Sequence, residues 1–146
     1  MSAGEELRVL LVDDEPKFVE LLAERLRGRG FTVEAVAGGY EAIDKVKEGA
    51  YDAVVLDLLM PRMDGIEALR RLREINPDLQ IILLTGHGTI EKGVEAMKLG
   101  AMDFLEKPAD FRALLEKIKE AKDRRMLLVQ KKHEKRIREI LQTKAW

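Results

Sequence analysis

Three carboxylates, a hydroxyl and an ammonium in this sequence each close a short, largely apolar run. Asp13 and Asp14 follow Arg8-Val9-Leu10-Leu11-Val12, and Asp57 follows Ala53-Val54-Val55-Leu56. Thr85 follows Ile81-Ile82-Leu83-Leu84, and Lys107 comes just after Phe104-Leu105-Glu106. If one edge gathers them, three like charges repel and raise one another's pKa unless something positive stands among them. Lys107 offsets one charge, and the remainder asks for a cation. The chain has no cysteine. Oxygen ligands alone select a hard metal, Mg²⁺ before Ca²⁺, because so few carboxylates leave coordination to water and a phosphate. A carboxylate held against such an ion and a lysine is arranged as a nucleophile towards phosphorus. The metal would take one phosphoryl oxygen, Lys107 a second as a point charge, and Thr85 a third by hydrogen bond.

The elements that must position these groups follow from periodicity. Strands are expected at residues 8–12, 31–36, 53–56, 81–84 and 101–105, the second alternating as a half-exposed strand and the third and fourth apolar throughout. Between them run helical stripes: Phe18, Leu21, Leu22 and Leu26, then Ala42, Ile43 and Val46, then Ile66, Leu69, Leu72 and Ile75. A fourth carries Ile90, Val94, Met97 and Leu99, and a fifth Phe111, Leu114, Leu115 and Ile118. Gly28, Gly30, Gly49, Asn76-Pro77 and Gly100 end the first four, and Pro16 suits a first helical turn that Asp14 can cap. Strands alternating with helices, with connections long enough for crossovers, define an α/β fold. We expect a doubly wound, five-stranded parallel sheet of flavodoxin-like order 2-1-3-4-5, with helices on both faces and an extended C-terminal helix. In such a sheet functional groups collect beyond the carboxyl ends of the strands, where Asp13, Asp14, Asp57, Thr85 and Lys107 all fall.

Simpler roles account for less. A helix cap explains one of Asp13 and Asp14 but not the pair. Thr85 also suits capping of the Gly86-His87-Gly88 turn, and Phe104 suits ordinary core as well as a special role. His87 and His133 are the only histidines, and neither has a second one at ligand spacing. With 146 residues the chain can bury a core as one domain without metal or disulfide staples. The short acidic N-terminus does not read as a signal peptide, and no run approaches a membrane span. The expected location is cytoplasmic.

Five landmarks resemble the receiver domains of two-component response regulators: Val12-Asp13-Asp14-Glu15, Leu56-Asp57-Leu58-Leu59-Met60-Pro61, Met63-Asp64-Gly65, Leu84-Thr85-Gly86 and Glu106-Lys107-Pro108. The resemblance covers residues 7–121. It implies that Asp57 accepts a phosphoryl group from a histidine kinase or phosphotransfer protein in a phosphorelay. Mg²⁺ would be bound by Asp14, Asp57 and the backbone carbonyl of Leu59, with Asp13 acting through water. Lys107 and Thr85 would contact the phosphoryl group, Phe104 would be an aromatic switch coupled to Thr85, and the Lys107-Pro108 bond would be cis. His87 offers a polar group to place an attacking water; Leu59 does not. The run Thr85-Gly86-His87-Gly88 also resembles the receivers of enhancer-dependent transcription activators, although no ATPase module follows.

Other chemistry fits less well. An aspartyl-phosphate hydrolase would want a second acid two positions after Asp57, where Leu59 stands. A flavodoxin-like cofactor site would want a Ser/Thr/Gly cradle in the first loop, and Asp13-Asp14-Glu15 repels phosphate. We therefore expect no enzymatic turnover beyond self-directed phosphotransfer and autodephosphorylation. We also expect signalling by conformational change to an unknown downstream protein, without a DNA-binding or enzymatic output domain.

The receiver is expected over residues 1–121 and a basic helical extension over 122–146. The extension carries nine Lys or Arg against three acids, a net of +6, which leaves −7 on the rest of a chain of net charge −1. Met126, Val129, Ile137 and Ile140 recur at near-heptad spacing, interrupted by Lys132 and His133. A homodimer through this helix or through the fourth and fifth strands is one expectation, with Trp146 packing on a partner or fraying. Direct nucleic-acid binding is not expected, because no recognition motif or aromatic interleaving accompanies the charge.

Overall fold

The computed structural model describes residues 7–86 and 90–144. His87, Gly88 and Trp146, which carried expectations above, lie outside the described residues. Five strands, β1 (Arg8–Val12), β2 (Thr32–Val36), β3 (Ala53–Asp57), β4 (Ile81–Thr85) and β5 (Asp103–Glu106), alternate with helices. These are α1 (Pro16–Gly28), α2 (Gly39–Glu48), α3 (Gly65–Ile75), α4 (Ile90–Lys98) and α5 (Phe111–Lys144). The strands form one parallel sheet in the order β2-β1-β3-β4-β5. The expected fold class and strand order hold. β5 starts at Asp103, two residues later than the apolar run suggested, although Met102 N already donates to Ile81 O of β4.

Period-two alternation along the buried strands sorts the core into two layers. Leu10, Val12, Val54, Leu56, Ile81 and Leu83 face α2, α3 and α4. Val9, Leu11, Val55, Ile82 and Leu84 face α1 and α5, meeting Leu22, Leu26, Leu114 and Ile118. β1 and β3 are neighbours, and the chain leaves β1 towards β2 on one side before returning to β3 on the other. That reversal opens a crevice at the carboxyl ends of β1 and β3. Asp13 and Asp57 flank it.

Local chemistry fixes the ends of these elements. Pro16 opens α1 as expected, but Asp14 does not cap it. The cap position is Glu15, which makes no side-chain capping bond. Asp13 Oδ1 instead accepts from Glu15 N at 2.9 Å, so the carboxylate that shapes this turn is the buried one. At α3 the cap is Asp64, accepting from Glu67 N at 2.9 Å. Gly65, directly after it, is required by space: a Cβ there would stand 2.5 Å from Leu58 Cα and 2.7 Å from Asp57 O. Only a glycine lets the start of α3 close against the end of β3, where Gly65 N donates to Leu58 O at 2.9 Å.

α5 runs unbroken for 34 residues, about 50 Å at the usual helical rise. Leu114, Leu115, Ile118 and Ala121 bury its first half against the sheet. From Met126 onward almost every described residue is exposed. Two ion pairs hold the helix where it leaves the body: Arg125 Nη1 reaches Asp52 Oδ1 at 2.8 Å, and Lys132 pairs with Asp78. No described helix is long and apolar enough to cross a membrane.

Candidate functional site at the carboxyl end of the sheet

Asp57 is the last residue of β3 and is only 4% exposed. Oxygen atoms of Asp13, Asp14 and Asp57 lie within 4.8 Å of one another. Asp13 is buried beside Asp57, whereas Asp14 is exposed at the rim. Asp57 Oδ1 accepts from Leu59 N at 3.2 Å, which turns the loop after β3 back over the carboxylate. The Leu59 side chain points outward, about half exposed, leaving the loop's backbone to line the site.

Lys107 enters from the end of β5. Its backbone N donates to Thr85 O at 2.7 Å, and its bond to Pro108 is cis. The ammonium is 2.8 Å from Asp13 Oδ2, 3.0 Å from Glu15 Oε1 and 3.6 Å from Asp57 Oδ2. It also sits 4.6 Å from the centre of the Phe18 ring. Burial pulls the Lys107 pKa down, but the bonds to Asp13 and Glu15 and the charge of Asp57 outweigh it and leave the ammonium above its ordinary value. Glu15 and Phe18 were not anticipated as members of this site. Glu15 adjoins the acid pair in sequence, and that adjacency is the signal that could have found it.

Asp57 is pushed up to about 6. Burial is the main cause, the neighbouring Asp13 charge adds to it, and Lys107 and the Leu59 N–H oppose it without cancelling it. Negative charge is thus under-compensated at Asp57 despite the lysine. All-oxygen donors on three converging carboxylates suit a hard divalent cation. The donor set therefore fits the group that the residue types implied.

Thr85, fully buried at the end of β4, donates from Oγ1 to Leu105 O at 3.5 Å, so its hydroxyl is aimed at the β5 backbone. That length is at the outer limit of hydrogen bonding, so little holds the hydroxyl there. Phe104 is half-buried, and its ring lies where a Cβ on Gly93 of α4 would touch it at 3.5 Å.

A doubly wound sheet with buried acids at its topological switch point, a lysine after β5 and a threonine after β4 defines a class of proteins built to handle phosphoryl groups. The family model "Response regulator receiver domain" matches residues 9–119. The chain is 38% identical over 119 residues to the "Transcriptional regulatory protein ZraR" of Klebsiella oxytoca, covering 82% of this chain and 27% of that protein. It is 39% identical over 113 residues to the "Response regulator MprA" of Mycobacterium sp. (strain KMS), covering 77% of this chain and 49% of that protein. Among solved structures, a response regulator receiver domain protein from Clostridium thermocellum superimposes with a TM-score of 0.81 at 31% identity, covering 84% of this chain and 98% of that one. The chain belongs to the response regulator receiver family.

These matches correct one expectation. The chain spans about a quarter of ZraR and half of MprA, and ZraR is named a transcriptional regulator. The expectation of a receiver without a DNA-binding or enzymatic output domain therefore does not stand. The physical reason is that the receiver is a self-contained folding unit, and nothing in its core or site records what it is coupled to.

Proposed function

We propose that Asp57 is the phosphoacceptor of this receiver, taking a phosphoryl group from the phosphohistidine of a sensor kinase or phosphotransfer protein. The carrying observation is the burial of Asp57 at the switch point, with Asp13 and Asp14 oxygens within 4.8 Å and the Lys107 ammonium at 3.6 Å. A carboxylate oxygen of Asp57 attacks phosphorus, the N–P bond of the donor breaks, and the histidine departs with the electron pair. Asp14, Asp57 and the Leu59 carbonyl would hold Mg²⁺ directly and Asp13 through water. The ion would supply charge neutralisation for the phosphoryl oxygens. Lys107 has Asp13, Glu15 and Asp57 as partners and balances a further oxygen as a point charge.

Thr85 gives up its long bond to Leu105 O and donates to the phosphoryl group instead. The space it leaves is what the Phe104 ring takes up, which moves the α4–β5 surface where Val94 and Met97 already stand exposed. The chemistry is confined to one acceptor per chain, with no separate substrate turned over. Because a histidine kinase draws its phosphoryl group from ATP, the site of action is the cytoplasm. Residues 1–121 form the receiver in this reading, and 122–146 a helical extension with a role of its own.

The test is direct. Incubation with a small acyl phosphate and Mg²⁺ should add one phosphoryl group to the intact protein, read as a mass increase. Asp57→Asn should remove it, and undiminished labelling of that variant would overturn the assignment.

A further inference from the structure

Glu15 is a further acid on Lys107, and the acceptor chemistry gives it no task. It occupies the cap position of α1, where a short acid would accept from the backbone N–H groups of the first turn. The side chain makes no capping bond and instead places Oε1 3.0 Å from the Lys107 ammonium. Its backbone is pinned on both sides: Glu15 N donates to Asp13 Oδ1 at 2.9 Å, and Glu15 O accepts from Val19 N at 3.0 Å. Only the side chain can move without disturbing the loop, and it is 61% exposed.

An ammonium has three N–H donors. Lys107 spends two of them on Asp13 Oδ2 at 2.8 Å and Glu15 Oε1 at 3.0 Å, while Asp57 Oδ2, at 3.6 Å, lies beyond hydrogen-bond length. The ammonium is thereby held towards α1 and off the acceptor. A phosphoryl group on Asp57 would place strong acceptor oxygens in that gap. Asp13 belongs to the acids that converge on Asp57 and Glu15 does not, so an ammonium drawn towards Asp57 leaves Glu15 first. Burial points the same way. The Asp13 side chain is only 5% exposed and both its oxygens are in use, so losing Lys107 would strand a buried charge. Glu15 can swing into water and be solvated there at little cost. The Phe18 ring, 4.6 Å from Nζ, gives the ammonium a face that does not depend on Glu15.

We propose that Glu15 is the exchangeable partner of Lys107: it holds the ammonium in the resting receiver and is displaced when a phosphoryl group arrives on Asp57. The inference rests on Asp57 being the phosphoacceptor. Glu15 is a positioning residue, acting on the reacting group only through Lys107. Its contact stabilises the resting state alone, so it opposes the phosphorylated state by what the contact is worth. For an ion pair with one exposed partner, that is about two- to five-fold in an equilibrium.

Glu15→Asp isolates the contact. It keeps the charge, draws the carboxylate back by one methylene, and suits the cap position that Glu15 leaves unused. The probe is beryllofluoride, a phosphoryl mimic that bonds to a carboxylate oxygen, titrated into the full chain with Mg²⁺ in excess and followed by calorimetry. Glu15→Asp should bind it about two- to five-fold more tightly than the wild type, with the circular dichroism unchanged. Glu15→Ala, which loses both the contact and the charge, should bind at least as tightly as Glu15→Asp. A merely structural role would weaken binding in both variants, and that result would overturn the proposal. Binding by Glu15→Asp equal to that of the wild type, with a gain in Glu15→Ala alone, would overturn it too, by tracing the effect to charge rather than to the contact. Either result leaves Asp57 standing as the acceptor. A wild-type chain that neither binds the mimic nor is labelled by an acyl phosphate would overturn the acceptor assignment, and this inference with it.

Discussion

Lys107 stands 2.8 Å from Asp13 but 3.6 Å from Asp57, so the ammonium is hydrogen-bonded to the neighbour of the acceptor and only ion-paired with the acceptor itself. Burial, with the Asp13 charge beside it, outweighs this ion pair and lifts the Asp57 pKa to about 6. The site is poised to gain from any positive group that arrives.

The first prediction concerns stability against pH without divalent cations. Asp57 binds its proton more tightly in the folded chain than the ordinary value of 3.8. Between about pH 4 and 6 the native state holds the extra proton, so stability falls as pH rises through this window and is level above it. Asp57→Asn removes the penalty and should raise stability at pH 7 by on the order of 2 kcal/mol, with little change at pH 3.5. Urea titrations at the two pH values measure this. Equal effects at both would show that the strain at Asp57 is not electrostatic.

Mg²⁺ should have a similar effect on the unmodified chain. Saturating Mg²⁺ is expected to raise the thermal midpoint at pH 7, because a ligand bound only by the native state stabilises it by mass action. The same addition to Asp57→Asn should give a smaller rise. Identical rises would place the ion elsewhere.

Gly65 is expected to tolerate no side chain. A Cβ placed 2.5 Å from Leu58 Cα forces α3 away from the end of β3, so Gly65→Ala should cost about 2–3 kcal/mol and slow labelling of Asp57. Asp64→Ala, one residue earlier, removes only the cap to Glu67 N and should cost about 1 kcal/mol while leaving labelling intact. Denaturant midpoints and labelling rates of the two variants separate the fit of the loop from the stability of the helix.

Thr85→Ala should still accept the phosphoryl group from a small donor, since Thr85 is not the nucleophile. What it should lose is the change at α4 and β5, read by amide hydrogen exchange before and after labelling. Exchange changes as large as in the wild type would remove Thr85 from the coupling.

At the opposite end of the sheet, Asp52 is buried and accepts from both Arg8 N and Arg125 Nη1. Arg125→Ala deprives it of one partner and should cost about 1–2 kcal/mol, with Asp57 labelling unchanged. Slower labelling would mean that the position of α5 is felt across the sheet.

Sequence by itself determined the elements and the membership of the acid cluster, because both are local. Apolar runs of strand length, helical stripes, Pro16, Asp64 and Gly65 act within a few residues of themselves, and a parallel βα succession leaves few arrangements of the sheet. Cap assignment at α1 was misread because Asp13 and Asp14 are equivalent by type. The tertiary structure buries Asp13 beside Asp57 and leaves Asp14 exposed at the rim. The tertiary structure alone decided the pairing of groups far apart in the chain: Lys107 with Asp13 and Glu15, over 94 and 92 residues, and Arg125 with Asp52, over 73. It also decided which way α5 faces. Such pairings depend on where whole elements come to rest against one another, which no short window of residues encodes.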